Sequence, residues 1–577
     1  MKTALHLRRY AFLYLFLVVA LLAVALVPSI QDRGTKSSQL ATGSHSGLTD
    51  ALESATPTPG SGDNTVATVA DSAAAPVQRV SRSVSDSLKS AQQAVGKTRG
   101  GVDCKPGVRQ LPASKYAAPC TALFSGDNGG ATTRGVTAKD IIIVRRLFPD
   151  TANSQAVEAV VKQAGGADTA YTNMVRDVFI KYFEQQFELY GRHIKWVDYT
   201  SEHGNATDEA LGQGREGACV DATYIKDTLH AFAVYSGTSA VFSECATERG
   251  LMTFNAAPYY PEKWYKEQKN YSWGGVMECE RISYQLSEYI GKRLVGKKAK
   301  WAGDAVTRNT KRKFAVYVPD DPHYQYCNEI SKKILESKYG VKRSNTSEYQ
   351  YRLDVSRFAD QAAQAIVQFH ADQSTTIILA CDPISTIFLT QNASKQAYFP
   401  EWVQIGTALS DVDNAARLWD QTEVDGHLFG PSQLGSTPKL FGPQSEPAVL
   451  YRQLTGKNLT EGGATDGTYW GLVGFYSTMQ AAGPALSRDA VAAGTWSLPP
   501  AGAPDYSVGY YSFRDGPDAT PGGLDHTGID DSREIYWMGT KQSDFDGQAG
   551  TYVETYGGRR FRNNEWPAED PPIYPGQ

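Results

Sequence analysis

Apolar runs in this chain are short and stop abruptly at small polar loops. In the stretch 231–258, apolar residues 231–235 stop at Ser-Gly-Thr-Ser (236–239), and a helix-length segment leads to a second run, 251–254, that stops at Asn255. Strands of a parallel sheet are buried on both faces and give this pattern. Because ligands in open α/β sheets bind at the carboxyl ends of the strands, we expect a binding site in these loops.

The same alternation of strand and helix recurs on both sides of that stretch. Before it, residues 141–144 and 193–199 are predicted strands, separated by a helix over 172–190. After it, the predicted strands are 313–318, 375–380 and 403–405. Strict alternation implies right-handed crossovers and a doubly wound sheet. The sequence therefore predicts the α/β class, with two lobes of similar size.

The amino terminus has the pattern of a membrane segment. Residues 1–9 carry Lys2, Arg8 and Arg9, and residues 10–30 form an apolar run of bilayer length. We predict an uncleaved single-pass anchor with residues 1–9 in the cytoplasm, a cleaved signal peptide being the alternative. Residues 31–100 are rich in small polar residues and read as a disordered, flexible linker. The head would be extracytoplasmic at the cell membrane, or secreted after cleavage.

The seven cysteines all follow the apolar run, and none has the CxxC spacing of a zinc or redox site. Cysteines in an exported chain suit an oxidising compartment and disulfides. We expect pairs between Cys104 and Cys120, between Cys219 and Cys245, and between Cys327 and Cys381, with Cys279 left over. Spacing alone does not fix this connectivity.

Charge and motifs argue against several classes of function. The net charge of -5, with no basic stripe among aromatics, argues against nucleic acid as a partner. The segment 291–297 has the glycine and lysine spacing of a P-loop, but Lys298 replaces the required Ser or Thr. HExxH and GxSxG motifs are absent, so we expect neither an enzyme nor a cofactor. Asp525, Asp530 and Asp531 lack EF-hand spacing, so we expect solvated turns there rather than a Ca²⁺ site.

Several motifs occur in a recognisable order. They are GVTAKDIII at 135–143, Ser-Gly-Thr-Ser at 236–239, RGLMTFNAAP at 249–258 and KFAVYVPDDPHYQY at 313–326. Together they resemble the type I periplasmic binding proteins, particularly the branched-chain amino acid (Leu/Ile/Val) substrate-binding proteins of ABC importers. The resemblance implies two doubly wound parallel-sheet lobes joined by a three-strand hinge. The first loop departs from it, because RRLFPD at 145–150 replaces the usual small residues.

The resemblance also implies how the head is divided. The chain would cross between lobes near 258–275, 418–432 and 495–508. The implied segments are a disulfide-bearing segment at 101–135, lobe 1 at 136–265, lobe 2 at 266–420, a return to lobe 1 at 421–500, and closing strands of lobe 2 with an extension at 501–577.

In such proteins the loop after the third strand of the first lobe holds the ligand carboxylate, and the second lobe closes over the rest. The matching positions are Ser236, Thr238, Ser239, Asn255 and Ala257 in lobe 1, and Tyr326 or Tyr324, Asp382, Thr407 and Ser410 in lobe 2. Hydroxyls suit an anion, and Asp382 suits an ammonium. Ser236 and Ser239 are equally readable as helix N-caps, Asp382 as a turn residue before Pro383, and Tyr326 as a packing aromatic.

These features favour a membrane-tethered binding protein that closes on a small amino-acid-like molecule and presents it to an ABC permease. A sensor or envelope-interaction protein that reuses the fold is the alternative. An exported hydrolase on an α/β scaffold is the third hypothesis, and no motif supports it.

Overall fold

A computed structural model describes most of the chain beyond the predicted linker. The described residues are 95–576 apart from 151–154, 156–158, 160–161, 163–166, 257–258, 407–409, 435–441, 460–463, 503–507, 519–522 and 545. The predicted tail (1–9), the apolar segment (10–30) and almost all of the linker lie outside the described residues. Within the described part, no helix has the length and apolar character needed to cross a bilayer.

A short antiparallel pair opens the described chain. β1 (Gly96–Lys97) pairs with β2 (Asp103–Cys104), and a disulfide joins Cys104 to Cys120 as predicted. Because β1 falls inside the linker predicted over 31–100, that boundary was placed too late.

The first sheet has five parallel strands. They are β3 (Asp140–Leu147), β4 (His193–Thr200), β5 (Ala233–Ser236), β6 (Met252–Phe254) and β7 (Ser272–Trp273). Their order is β4-β3-β5-β6-β7, the 2-1-3-4-5 order of a doubly wound sheet. The strands predicted from the apolar runs are confirmed, and the two-residue β7 is an addition that the sequence did not indicate.

Helices cover both faces of this sheet. They are α1 (Thr169–Gln186), α2 (Ala206–Ala210), α3 (Arg215–Asp227), α4 (Ala240–Glu248) and α5 (Glu262–Glu267). On one face, the α1 side chains Phe179 and Phe183 are fully buried. On the other face, Val144 of β3 belongs to the same buried cluster as Ala222 and Phe242. Burial on both faces explains why the strands are almost uninterrupted apolar runs.

The second sheet repeats the order of the first and then extends it. Its strands are β8 (Phe314–Pro319), β9 (Ser347–Tyr351), β10 (Thr376–Leu379), β11 (Glu401–Gln404), β12 (Leu428–Ser432), β13 (Ser532–Gln542), β14 (Ala549–Glu554) and β15 (Arg560–Phe561). The path is β14-β13-β12-β11-β10-β8-β9, with β15 beside β13. Strands β8 to β12 are parallel in the order 2-1-3-4-5, and β13 to β15 pair antiparallel.

The remaining helices divide between the lobes. They are α6 (Cys279–Tyr289, continued by a π-turn at Ile290–Leu294), α7 (Ala305–Arg308), α8 (Pro322–Tyr339), α9 (Phe358–Ala371), α10 (Pro383–Lys395), α11 (Asp413–Ala416), α12 (Gln421–Val424), α13 (Glu446–Thr455), α14 (Ala464–Ala481) and α15 (Arg488–Ser497). Tyr451 of α13 and Tyr469 of α14 contact Phe179 with ring centroids 6.1 and 5.0 Å apart. Helices α13 to α15 therefore return to the first lobe.

Within the described residues, the chain passes between the lobes at three places, and the second of them lies later than predicted. It leaves the first lobe after β7, returns after β12, and leaves again after α15. Residues 421–432 were assigned to lobe 1, but β12 pairs with β11 in the second sheet. The crossing segments lie side by side: the Met277 N–H donates to Gln433 Oε1 at 2.7 Å, and the Gly274 N–H donates to the His526 carbonyl at 2.9 Å.

The disulfides confirm two of the three expected pairs. Cys219 bonds to Cys245 as predicted, but Cys327 bonds to Cys279 rather than to Cys381. Cys279 begins α6, and Cys327 lies in α8, the neighbouring helix on the same face of the second sheet. Cys381 belongs to the core on the opposite face and remains a buried thiol. The sheet itself separates Cys327 from Cys381.

Candidate functional site

The first-lobe loop after β5 uses two of its predicted hydroxyls for its own structure. Thr238 Oγ1 donates to the Phe254 carbonyl at 2.9 Å, which ties this loop to the end of β6. Ser239 caps α4 by accepting the Phe242 N–H at 3.0 Å, and it donates to Glu209 Oε2 at 2.6 Å. The N-cap interpretation therefore describes Ser239.

Ser236, at the end of β5, differs from its neighbours. Its Oγ is buried and has no hydrogen-bond partner among the described residues. Buried polar groups almost always find a partner, from the protein, from water or from a ligand. Among the three predicted hydroxyls of this loop, Ser236 is thus the one with no hydrogen bond in the described part of the chain.

Arg146 forms hydrogen bonds that hold the loop at 236–239 in place. Its guanidinium donates to Asp221 Oδ2 at 2.6 Å, to Glu209 Oε2 at 2.8 Å and to the Gly237 carbonyl at 3.1 Å, and it is 1% exposed. Arg145 instead pairs with Asp177 and Asp198 at the surface. Of the two arginines that depart from the family pattern, Arg146 therefore holds the loop in place, directly and through Glu209.

The end of β6 supplies one exposed candidate. Asn255 has φ 53°, a left-handed conformation that Asn adopts more readily than most side chains, and it is exposed. Ala257 and Thr407, also predicted for the site, lie outside the described residues.

In the second lobe, Asp382 is the N-cap of α10. Its Oδ1 accepts the N–H groups of Ile384 and Ser385 at 2.9 and 2.8 Å, and its Oδ2 accepts the Tyr351 hydroxyl at 2.5 Å. Its carboxylate thus already has three donors. Ser410, after β11, resembles Ser236, because its buried Oγ has no partner among the described residues.

The two candidate tyrosines occupy different environments. Tyr326 is 39% exposed, and its ring centroid lies 5.5 Å from Lys263 Nζ of the first lobe. Tyr324, in the first turn of α8, lines a cavity inside the second lobe, and burial raises the pKa of its hydroxyl well above the usual range. Tyr260 packs on His323 with centroids 4.4 Å apart. The start of α8 is therefore in contact with the first lobe.

A buried ionic cluster at the crossing segments was missed. Arg281 lies 2.9 Å from Asp525, 3.1 Å from Asp530 and 3.3 Å from Glu278, and each of these side chains is at most 1% exposed. Asp531 pairs with Arg560 at 2.7 Å. The expectation of solvated turns around Asp525 to Asp531 was wrong. In the described part of the chain, no group of acidic, His or Cys side chains has the geometry of a metal site.

The sequence pattern of α6 did not indicate that this cluster is buried. Arg281, Gln285 and Glu288 form a polar row at helical spacing on α6, a pattern that is typical of a solvated helix face. All three are buried, because the crossing segment 525–531 and the carboxyl-terminal residues cover them.

Glu262 and His526 form a second buried pair beside the cluster. His526 Nδ1 lies 2.8 Å from Glu262 Oε1, and Nε2 lies 3.0 Å from Asn270 Oδ1. Burial, with the nearby Glu278 carboxylate, raises the pKa of Glu262 to about 9, and burial lowers the pKa of His526 to about 4. A neutral Glu262 donating to Nδ1, with Nε2–H donating to Asn270, gives each of these two contacts one donor and one acceptor.

Replacing Glu262 with Gln is expected to flatten the pH dependence of stability above pH 6.5. In the folded wild type the pair holds one proton, which the unfolded chain releases above the ordinary pKa of both groups. Its contribution to the free energy of unfolding therefore falls by about 1.4 kcal/mol per pH unit between pH 6.5 and 9. Gln mimics the neutral acid and removes this slope. Urea unfolding at pH 6.5, 7.5 and 8.5 measures the difference.

The exposed Glu267 on the same helix provides the matched control, since Glu267→Gln leaves the buried pair untouched. Parallel pH profiles for wild type and Glu262→Gln would show that Glu262 is ionised in the folded protein.

No protein-family model and no curated protein matches the sequence. Among solved structures, the chain is similar to the branched-chain amino acid transporter substrate-binding protein of Streptococcus pneumoniae in complex with isoleucine, at 14% identity and a TM-score of 0.45 over 72% of this chain and 100% of that one. It is also similar to the leucine-, isoleucine-, valine-, threonine- and alanine-binding protein of Brucella ovis, at 11% identity and a TM-score of 0.48 over 75% and 97%.

A third similar structure is the solute-binding protein of an ABC transporter from Rhodopseudomonas palustris with 3,4-dihydroxybenzoic acid, at 10% identity and a TM-score of 0.47 over 74% and 98%. These neighbours are solute-binding proteins, and they include members of the leucine/isoleucine/valine-binding family that the motifs of this chain resemble.

Proposed function

We propose that this protein is a membrane-tethered, extracytoplasmic solute-binding protein that closes two lobes on a small amino-acid-like ligand for delivery to an ABC importer. The observation that supports it most is the repeated architecture. Two sheets share the 2-1-3-4-5 order, and three crossing segments lie side by side between them. Few, adjacent connections between two rigid lobes suit hinge closure around a ligand.

The polar groups at the strand ends support a ligand that touches both lobes. Ser236 in the first lobe and Ser410 in the second each carry a buried hydroxyl with no partner in the described part of the chain. A ligand carboxylate would accept from such hydroxyls, and Asp382 would receive an ammonium as a further donor. Contacts from both lobes favour the closed state by their differential affinity for it.

A ligand panel tests this proposal. We expect at least one amino acid, small amide or polyamine to stabilise the full-length chain, by about 2.7 kcal/mol at a hundred times its Kd. Ser236→Ala and Ser410→Ala should each weaken binding of that ligand about tenfold, with unchanged melting of the free protein. Isothermal titration of the hit against wild type and both variants measures this.

Ser337→Ala is the control, because Ser337 is exposed on α8 and bonds only within its own helix. Unchanged affinity in both site variants would remove Ser236 and Ser410 from the site, even if a ligand binds.

A sensor or envelope-interaction protein that reuses this architecture is the second candidate. It is favoured by the engagement of Thr238, Ser239 and Asp382 in hydrogen bonds of the protein itself, which leaves fewer groups for an amino acid than the sequence suggested. A silent panel over well-folded protein would favour this second function.

A further inference from the structure

The second lobe contains a cavity of about 290 Å³ between its sheet and the helix pair α6 and α8. Apolar side chains form most of its wall, among them Leu286, Phe314, Val316, Leu335, Ile378 and Ile405. Protein interiors are close-packed, with few voids larger than a water molecule. An apolar cavity of this size is therefore unusual, and it lies within one lobe rather than in the cleft between the lobes.

The helices that roof the cavity are fixed at both ends. At one end the Cys279–Cys327 disulfide joins α6 to α8, and Ser283 Oγ donates to the Cys327 carbonyl at 2.8 Å. At the other end the Tyr339 ring lies on Gly291, where an added Cβ would be 2.2 Å from the ring. Both contacts therefore fix the spacing between α6 and α8, the two helices that line the cavity.

The opening of the cavity carries charges that neutralise one another. Lys332 lies 2.9 Å from Glu348, which also accepts from Asn328 at 3.0 Å, and Arg343 lies 2.8 Å from Glu329. Inside the cavity, the Ser283 hydroxyl lies within hydrogen-bond distance of the Cys279 and Cys327 carbonyls. Among the described lining residues, each cation thus already has a carboxylate partner, so the opening provides no unpaired charge for an anionic or cationic head group.

We propose that this cavity is a second ligand site that takes a small, uncharged, mainly apolar molecule. An apolar cavity of ~150 Å³ in another protein stays dry and binds benzene, so this larger one has room for a two-ring aromatic or a branched chain of similar size. Tyr324 lies at the end of the cavity nearest the cleft, in the first turn of α8. An occupant therefore contacts the same helix end that meets the first lobe.

The test uses 1-fluoronaphthalene as the probe and fluorine NMR of the full-length chain in detergent. Val316→Phe and Ala380→Leu add volume inside the cavity, and Val367→Phe adds the same group at a 58% exposed position of α9. Every protein carries the same amino-terminal segment, so partition of the probe into detergent is common to all. We expect at least tenfold weaker binding in both filled variants, and unchanged binding in Val367→Phe.

Naphthalene-1-carboxylate is expected to bind wild type at least tenfold more weakly than the uncharged probe. Equal affinity of wild type and the filled variants, no protein-dependent binding to wild type, or tighter binding of the carboxylate would each overturn the proposal. If Val316→Phe loses its cooperative melting transition, Ala380→Leu decides. Because the probe is not an amino acid and Val316 and Ala380 line the cavity, this outcome is independent of the proposed transport function.

Discussion

Replacing Arg281 with Met is expected to lower the free energy of unfolding by about 3–5 kcal/mol, because it leaves buried carboxylates without their cation. Glu278, Asp525 and Asp530 surround the guanidinium, and none of them is exposed. Burial raises the pKa of Asp525 and of Asp530, and Arg281 opposes that rise. Its loss should therefore promote proton uptake on folding, and the variant should lose further stability as pH rises from 6 to 8.

Urea unfolding at pH 6 and pH 8 measures both effects. Arg352→Met is the control in the same lobe, since Arg352 is 66% exposed and its partner Asp320 lies 3.9 Å away. Such surface pairs contribute at most about 1 kcal/mol. An Arg281→Met protein as stable as this control would show that the cluster is solvated, and that the crossing segments are not held by it.

Arg146→Met is expected to lower the free energy of unfolding by a similar amount, about 3–5 kcal/mol, and to disturb the loop at 236–239 as well. The substitution leaves Glu209 and Asp221 buried without a cation and removes the donor to the Gly237 carbonyl. Because Glu209 also accepts from Ser239, the cap of α4 should loosen together with the loop. Hydrogen exchange of peptides covering 236–248, with urea unfolding of the whole chain, measures both consequences.

The neighbouring Arg145 offers a matched control. Its partners Asp177 and Asp198 have side chains 60% and 48% exposed, so water can solvate them when the cation is removed. Arg145→Met should therefore cost about 1 kcal/mol and leave exchange in 236–248 unchanged. Equal costs for the two substitutions would contradict the role assigned to Arg146.

Much of the fold could be predicted from the apolar runs. The runs at 141–144, 251–254 and 313–318 correspond to β3, β6 and β8, because a strand covered by helices on both faces needs apolar side chains at every position. The crossing after β12 was predicted too early in the chain. The β12 sequence, LFGPS, contains Gly430 and Pro431 and does not read as a buried strand. Only its pairing with β11 and β13 identifies it.

The candidate site, too, could be predicted only in part from the sequence. The sequence placed Ser236, Asn255, Asp382 and Ser410 at the carboxyl ends of parallel strands, where the structure also has them. It did not indicate that Thr238, Ser239 and Asp382 bond to the protein itself, or that the hydroxyls of Ser236 and Ser410 have no partner among the described residues.

The sequence by itself determined the α/β class, the repeated lobes and the position of the loops at the strand ends, because periodicity records which face of each element is buried. The tertiary structure decided which buried groups are in contact. The Cys279–Cys327 disulfide joins two neighbouring helices, and Arg281 pairs with Asp525, which is 244 residues away in the chain. Partners so distant in the chain leave no local pattern, since they are chosen by how the lobes and crossing segments pack.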